Sequence, residues 1–197
     1  GSEMCIRDRL YDESTEDMYS VGSGGTVSTL KTVDNTLYYT KYSDTYELWK
    51  TDGTIEGTTL VKDLNTSSNI SQPTTWNGKL YFIRYNQNYG SEIWESDGTE
   101  AGTHILKDIN PENTDDGIYN LFVFNNSLYF SANSSEYGNE LWKSDGTEVG
   151  TLLFKDIATG ISNSNPSNPI IHNNNFFFLC TTPENGTELW KSDGTTE

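Results

Sequence analysis

Apolar side chains in this chain come in short clusters separated by polar, turn-forming residues. Leu37-Tyr38-Tyr39, Leu80-Tyr81-Phe82, Leu128-Tyr129-Phe130 and Phe176-Phe177-Phe178 are four such clusters. Each follows a pair of residues, Asp34-Asn35, Asn77-Gly78, Asn125-Asn126 or Asn173-Asn174. Asn, Asp and Gly tolerate φ > 0, which type I′ hairpin turns require. The pattern therefore predicts a strand on each side of the pair, as in Gln72–Trp76 and Leu80–Tyr85. An ELW or EIW segment begins 13 residues after the first turn residue in the first unit and 15 after it in the other three. It predicts a third strand, as in Glu92–Ser96. A DGT turn then leads to a fourth, as in Thr103–Ile109. A polar stretch, Asn110–Gly117 here, reaches the next unit. Apolar residues occupy both parities of these strands, so both faces of each sheet need cover. A lone antiparallel sheet would leave one face wet.

The unit recurs. ELWKTDGTIEGTTLVKDL starts at Glu47, EIWESDGTEAGTHILKDI at Glu92, ELWKSDGTEVGTLLFKDI at Glu140 and ELWKSDGTTE at Glu188. The starts are 45, 48 and 48 residues apart, a spacing in the range of propeller blades. Blades stacked side by side cover both faces of every sheet. A parallel β-helix is the competing solenoid, but its coils are shorter and lack I′ hairpins. The expected fold is all-β: a partial β-propeller of four-stranded antiparallel blades, with about 3.5 to 4 blades present. Residues 27–64, 65–109, 110–157 and 158–197 are the predicted blades, the last truncated. Residues 10–26 form a weakly patterned lead-in. Residues 1–9 share no pattern with the rest and are set aside as non-native. On this reading the chain is a piece of a longer protein.

The ELWxxDGTxxGT motif, from about Val33 to Glu197, resembles the ELWxxDGT repeat family. The resemblance implies a bacterial tandem-repeat protein, β-propeller-like, secreted or attached at the cell surface. It implies little about activity.

Charge narrows the partners. The 197 residues carry 12 Lys and Arg against 29 Asp and Glu, a formal net charge of −17. Phosphate binding needs a basic surface, so nucleic acid is not an expected partner. Only 33% of residues are hydrophobic, and no apolar run approaches the ~18 residues of a membrane span. The two cysteines, Cys5 and Cys180, cannot make a disulfide scaffold. Cys180 ends the apolar run FFFLC and reads as a buried hydrophobe.

The recurring polar residues read as architecture. Asp52-Gly53, Asp97-Gly98, Asp145-Gly146 and Asp193-Gly194 are expected to build tight turns. The Asp carboxylate bonds backbone N–H groups two residues on, and Gly supplies the conformation that other residues resist. These turns resemble the structural Asp-box turns of sialidase-like propellers. A Ca²⁺ site at each turn is the alternative, but one carboxylate is few for an ion that takes 6–8 oxygens. No metal site and no other cofactor is expected. Trp49, Trp94, Trp142 and Trp190 recur once per unit and are expected to pack between blades. Glu47, Glu92, Glu140 and Glu188 are expected to pair across strands with Lys62, Lys107 and Lys155.

Two residues stand out as ligand-binding candidates. Trp76 is the tryptophan outside the repeated motif, where other units have Val33, Phe124 and His172. Arg84 is the only arginine inside the repeats. No residues qualify as catalytic: the chain has no GxSxG elbow, no phosphate-binding Gly loop and no arginine cluster. Two functions compete. One is a non-catalytic extracellular scaffold binding a glycan or protein. The other is part of a propeller hydrolase acting on glycans, with its catalytic residues outside this chain. Other blades of the same protein are the expected structural partners.

Overall fold

The computed structural model describes residues 26–86, 90–111 and 117–195. The segment 1–9, nearly all of the lead-in 10–26, and most of the Asn110–Gly117 loop lie outside the described residues. Among the described residues every element is a strand. The first sheet holds β1 (Thr26–Val33), β2 (Thr36–Tyr42), β3 (Tyr46–Thr51) and β4 (Thr59–Asp63). The second holds β5 (Ser71–Trp76), β6 (Lys79–Asn86), β7 (Gly90–Ser96) and β8 (His104–Lys107). The third holds β9 (Ile118–Phe124), β10 (Ser127–Ser134), β11 (Gly138–Ser144) and β12 (Leu152–Lys155). The fourth holds β13 (Ser167–His172), β14 (Asn175–Thr182) and β15 (Gly186–Ser192). Each sheet is an antiparallel meander with its strands in chain order.

The hairpin chemistry explains the boundaries. Asn77 and Gly78 between β5 and β6 have φ of 48° and 71°, and Asn125 and Asn126 between β9 and β10 have 43° and 55°. Both residues of each pair are left-handed, as a type I′ turn demands. The first strand of each sheet also carries a bulge. The register shifts between Ser71 and Thr74 in β5 and between Ser167 and Ile170 in β13. Gln72, Asn120 and Asn168, at equivalent places, have φ of 50°, 60° and 53°. One left-handed residue in each of β5, β9 and β13 bends the strand and adds twist.

The sheets pack face to face in chain order. β1 lies beside β5, β5 beside β9, and β9 beside β13, so the first strands line a common axis. Three cores fill the gaps. Val33, Tyr38 and Leu48 of the first sheet meet Leu80, Phe82 and Trp94 of the second. Tyr81 and Ile93 of the second meet Leu128, Phe130 and Trp142 of the third. Tyr129 and Leu141 of the third meet Phe176, Phe178 and Cys180 of the fourth. Alternation does the sorting: Phe82 points back to the preceding sheet and Tyr81, one residue earlier, points on to the next. This is why the strands are apolar at both parities. Burial pushes the Cys180 thiol up to about 12, so it behaves as a core hydrophobe.

Candidate functional site

The recurring polar motif builds the turn-bearing edge of the array. In the second sheet, Asp97 Oδ1 accepts from Thr99 N at 2.9 Å and Thr99 Oγ1 at 2.7 Å. Thr99 Oγ1 in turn accepts from Gly102 N at 3.0 Å, and Thr103 Oγ1 donates to Thr99 O at 2.7 Å. Ser96 Oγ bonds Thr103 Oγ1 at 2.7 Å and accepts from Gly98 N at 3.1 Å. The same bonds recur around Asp52 and Asp145, and Asp193 holds Thr195 in the same way. The second glycine of the motif has a steric reason. A Cβ on Gly102 would sit 2.1 Å from Asp97 Oδ1, and one on Gly150 would sit 2.0 Å from Asp145 Oδ1. The carboxylate lies directly over the bare Cα.

These bonds favour the charged aspartate. The Thr99 hydroxyl, then its N–H, hold the Asp97 carboxyl below its ordinary value of 3.8. Asp52, Asp145 and Asp193 are lowered in the same way by the hydroxyl and N–H of Thr54, Thr147 and Thr195. A depressed folded-state pKa gives stability that is present above the unfolded value and lost as pH falls through the folded one. Asp97→Ala is therefore expected to lower the melting temperature by roughly 2–4 °C at neutral pH, the effect of losing about 1 kcal/mol of turn bonding. The difference from wild type should shrink on acidification below 3.8. Thermal melts across pH, with and without Ca²⁺, check this. A calcium-dependent rise that Asp97→Ala abolishes would replace the turn reading with a cation site.

The lysines do not meet the repeated glutamates as expected. They cross to the next sheet. Lys50 Nζ donates to Gly98 O at 2.8 Å, and Lys143 Nζ to Gly194 O at 3.3 Å. Lys62 Nζ donates to Glu100 O at 3.1 Å, and Lys107 Nζ to Thr151 O at 2.9 Å. The DGT turn thus presents its carbonyls to the sheet before it. Its glycine is seated there too: Gly98 meets Tyr38, Gly146 meets Trp76 and Tyr81, and Gly194 meets Tyr129. The glutamates have other work. Glu47 accepts from Trp49 Nε1 at 2.8 Å. Glu140 is fully buried and accepts from Ile157 N, Ala158 N, Ser164 N and Ser164 Oγ at 2.6–3.2 Å.

Trp94 and Trp142 lie buried in the first and second inter-sheet cores, and Trp190 packs against the third. Trp49 is half-buried, stacked on Tyr39 with ring centroids 6.4 Å apart. The two residues expected to meet a ligand are both buried, and that expectation is corrected here. Trp76 packs on Tyr81 at 5.6 Å and donates from Nε1 to Asn126 Oδ1 at 3.2 Å. Its ring joins the second and third sheets and offers no face to solvent. Arg84 places its guanidinium 4.4 Å from the Trp94 ring and donates to the Leu64 carbonyl. Burial lowers its pKa, and it works as an internal brace.

The exposed groups on this edge are turn amides and carboxylates. The strand-joining pairs Asp34-Asn35, Asn77-Gly78, Asn125-Asn126 and Asn173-Asn174 are all solvent-facing. They run alongside the DGT turns: Asn125 Nδ2 donates to Asp193 O at 3.2 Å. The edge can donate and accept hydrogen bonds along its length. Among the described residues no group of three or more His, Cys, Asp or Glu converges as a metal would require. No described helix is long and apolar enough to cross a membrane.

No family model and no curated protein matches the chain. Solved structures do. Puromycin hydrolase superposes with a TM-score of 0.56 at 11% identity, over 89% of this chain and 28% of that one. TolB from Acinetobacter baumannii gives 0.52 at 11%, over 92% and 45%. The AtxE2 isopeptidase gives 0.52 at 14%, over 79% and 25%. The chain spans less than half the length of each of these. At such identity the likeness is one of fold. The structural neighbours are β-propeller proteins, and the four sheets are blades of that kind, in an array in which no sheet closes.

Proposed function

We propose that this chain is a non-catalytic repeat scaffold of the ELWxxDGT type, part of a larger secreted or surface-attached bacterial protein. It binds a glycan or protein along its turn-bearing edge. One observation carries the reading: the polar groups common to the repeats are committed to architecture. The aspartates hold their own turns, lysines reach the next sheet, and Glu140 holds the connection between two sheets. What varies between repeats on the exposed edge is the set of turn amides, and such groups suit the hydroxyls of a sugar or a peptide backbone.

The second reading is a propeller belonging to a hydrolase, with catalytic residues elsewhere in the protein. Its support is that the neighbours include proteins named as a hydrolase and an isopeptidase. One experiment tests the first reading. The purified chain is applied to an immobilised glycan panel, and the supernatant is analysed for released product. Saturable retention without product is expected, weakened by Asn77→Gly and Asn173→Gly. Those changes remove an amide while keeping the left-handed backbone. Product released by this chain alone would overturn the non-catalytic reading.

A further inference from the structure

A glycine after an asparagine or aspartate leaves its backbone nitrogen uncrowded, able to attack the preceding side-chain carbonyl. The sequence has two Asn-Gly pairs, Asn77-Gly78 and Asn185-Gly186, and an Asp-Gly pair in every DGT turn. The fold sorts them. In the DGT turns the nitrogens of Gly53, Gly98, Gly146 and Gly194 are tied, each donating at 3.0–3.1 Å to the hydroxyl of the residue before the aspartate. The aspartates are held as carboxylates by their threonines, and a carboxylate resists attack. Gly186 stands in register with Thr182 in the β14–β15 ladder, and Asn185 N donates to Thr182 Oγ1 at 3.3 Å. Turning that peptide disturbs strand pairing.

Asn77-Gly78 differs on each count. Both residues are exposed in the turn between β5 and β6, which the Trp76–Lys79 pair closes. Among the described residues, neither the Asn77 amide nor the Gly78 nitrogen makes a hydrogen bond. The equivalent turns are less open. Asn125 Nδ2 donates to Asp193 O at 3.2 Å, and Asn173 Nδ2 donates to His172 Nε2 at 2.9 Å. The residues that follow them, Asn126 and Asn174, also carry a Cβ that crowds the attack.

We propose that Asn77 is a modification site, deamidated spontaneously through a cyclic imide formed with Gly78. The Gly78 nitrogen gives its proton to solvent hydroxide and attacks Asn77 Cγ. The Cγ–Nδ2 bond breaks and ammonia leaves. Water then opens the imide at one of its two carbonyls. Opening at Cγ leaves aspartate; opening at the main-chain carbonyl leaves isoaspartate, with the chain running through the side chain. One water enters and one ammonia departs. The aspartate product fits, since Asp34 holds the same place in the first sheet with φ of 51°. It adds a negative charge close to Asp34, whose Oδ2 lies 3.9 Å from a Cβ built on Gly78. Isoaspartate adds a backbone atom to a two-residue turn and strains the Trp76–Lys79 pairing. The inference rests on the turn geometry and is independent of the ligand reading.

Peptide mapping by mass spectrometry tests it on the folded whole chain, held at mildly acidic and mildly alkaline pH. The peptide carrying Asn77 is expected to gain about 1 Da and one negative charge, ahead of every other asparagine. The conversion is expected to quicken as pH rises, because the attacking nitrogen must lose its proton. Gly78→Asn rebuilds the Asn125-Asn126 type of turn, and thermal melts verify that it folds. It is expected to slow the conversion roughly tenfold or more, by crowding the transition state. Asn77 that stays intact in the folded chain, while a urea-unfolded sample converts, overturns the proposal. So does conversion of Asn125, Asn173 or Asn185 as fast as Asn77, or a rate that Gly78→Asn leaves unchanged.

Discussion

Glu140→Ala is expected to destabilise the third and fourth sheets by roughly 3–5 kcal/mol, because it strands several buried hydrogen-bond donors at once. The carboxylate sits at the start of the ELW segment of β11 and turns inward. It takes three backbone N–H groups and one hydroxyl from residues 157–164, the connection that carries the chain from β12 to β13. Without it, Ile157, Ala158 and Ser164 lose their partner in a place closed to water. Glu140→Gln should recover little of the loss. It keeps the shape but turns an NH₂ group, itself a donor, toward other donors. Denaturant unfolding of the three proteins decides the matter, and a Gln variant as stable as wild type would refute the role. The pH dependence has the opposite sign to that of the turn aspartates. Burial raises the Glu140 pKa above its ordinary 4.5 despite the four bonds. A raised folded-state pKa means that stability falls as pH rises from the unfolded value through the folded one. The gap between wild type and Glu140→Ala should therefore narrow over that range.

The elements of the fold were legible because they depend on neighbours in sequence. A pair such as Asn77-Gly78 before an aromatic cluster demands a hairpin wherever it occurs, and the DGT turn closes on itself through Asp97 and Thr99. What a tandem repeat conceals is which copy a side chain addresses. Lys62 stands opposite Leu48, one residue from the glutamate of its own repeat, and also near the turn of the next. Spacing alone cannot separate the two, since every partner recurs one period later. The lysines went to the next sheet, where the DGT carbonyls point out of the turn, and the glutamates were left to other donors. Trp76 misled by being unusual. Its position holds Val33 and Phe124 in neighbouring repeats, both buried, which marks it as a core place. Arg84 occupies the place of Ala132 and Cys180, both fully buried. A charged residue there had to find an internal partner, and it found the Trp94 ring and the Leu64 carbonyl. Reading each position across the repeats, and not each residue for its rarity, was the signal that could have placed both.

The same logic sets two chemically identical substitutions apart. Gly98→Ala is expected to cost roughly 2–4 kcal/mol, and Gly53→Ala only about 1–2 kcal/mol. Both glycines are left-handed, with φ of 86° and 95°, so each alanine meets the same backbone penalty. Their surroundings differ. A Cβ at Gly98 would lie 2.4 Å from the Tyr38 hydroxyl and 3.4 Å from Lys50 Nζ, both from the preceding sheet. Tyr38 is buried in the first inter-sheet core, so moving its ring disturbs the packing against Leu80 and Phe82 as well as the Lys50 bond to this turn. A Cβ at Gly53 meets nothing within 4 Å. The difference between the two variants thus isolates what the preceding sheet contributes to a DGT turn. Equilibrium unfolding of the two variants beside wild type measures it. Equal losses would mean that the turn serves its own sheet alone, and that the lysine and tyrosine contacts across the gap add nothing to stability.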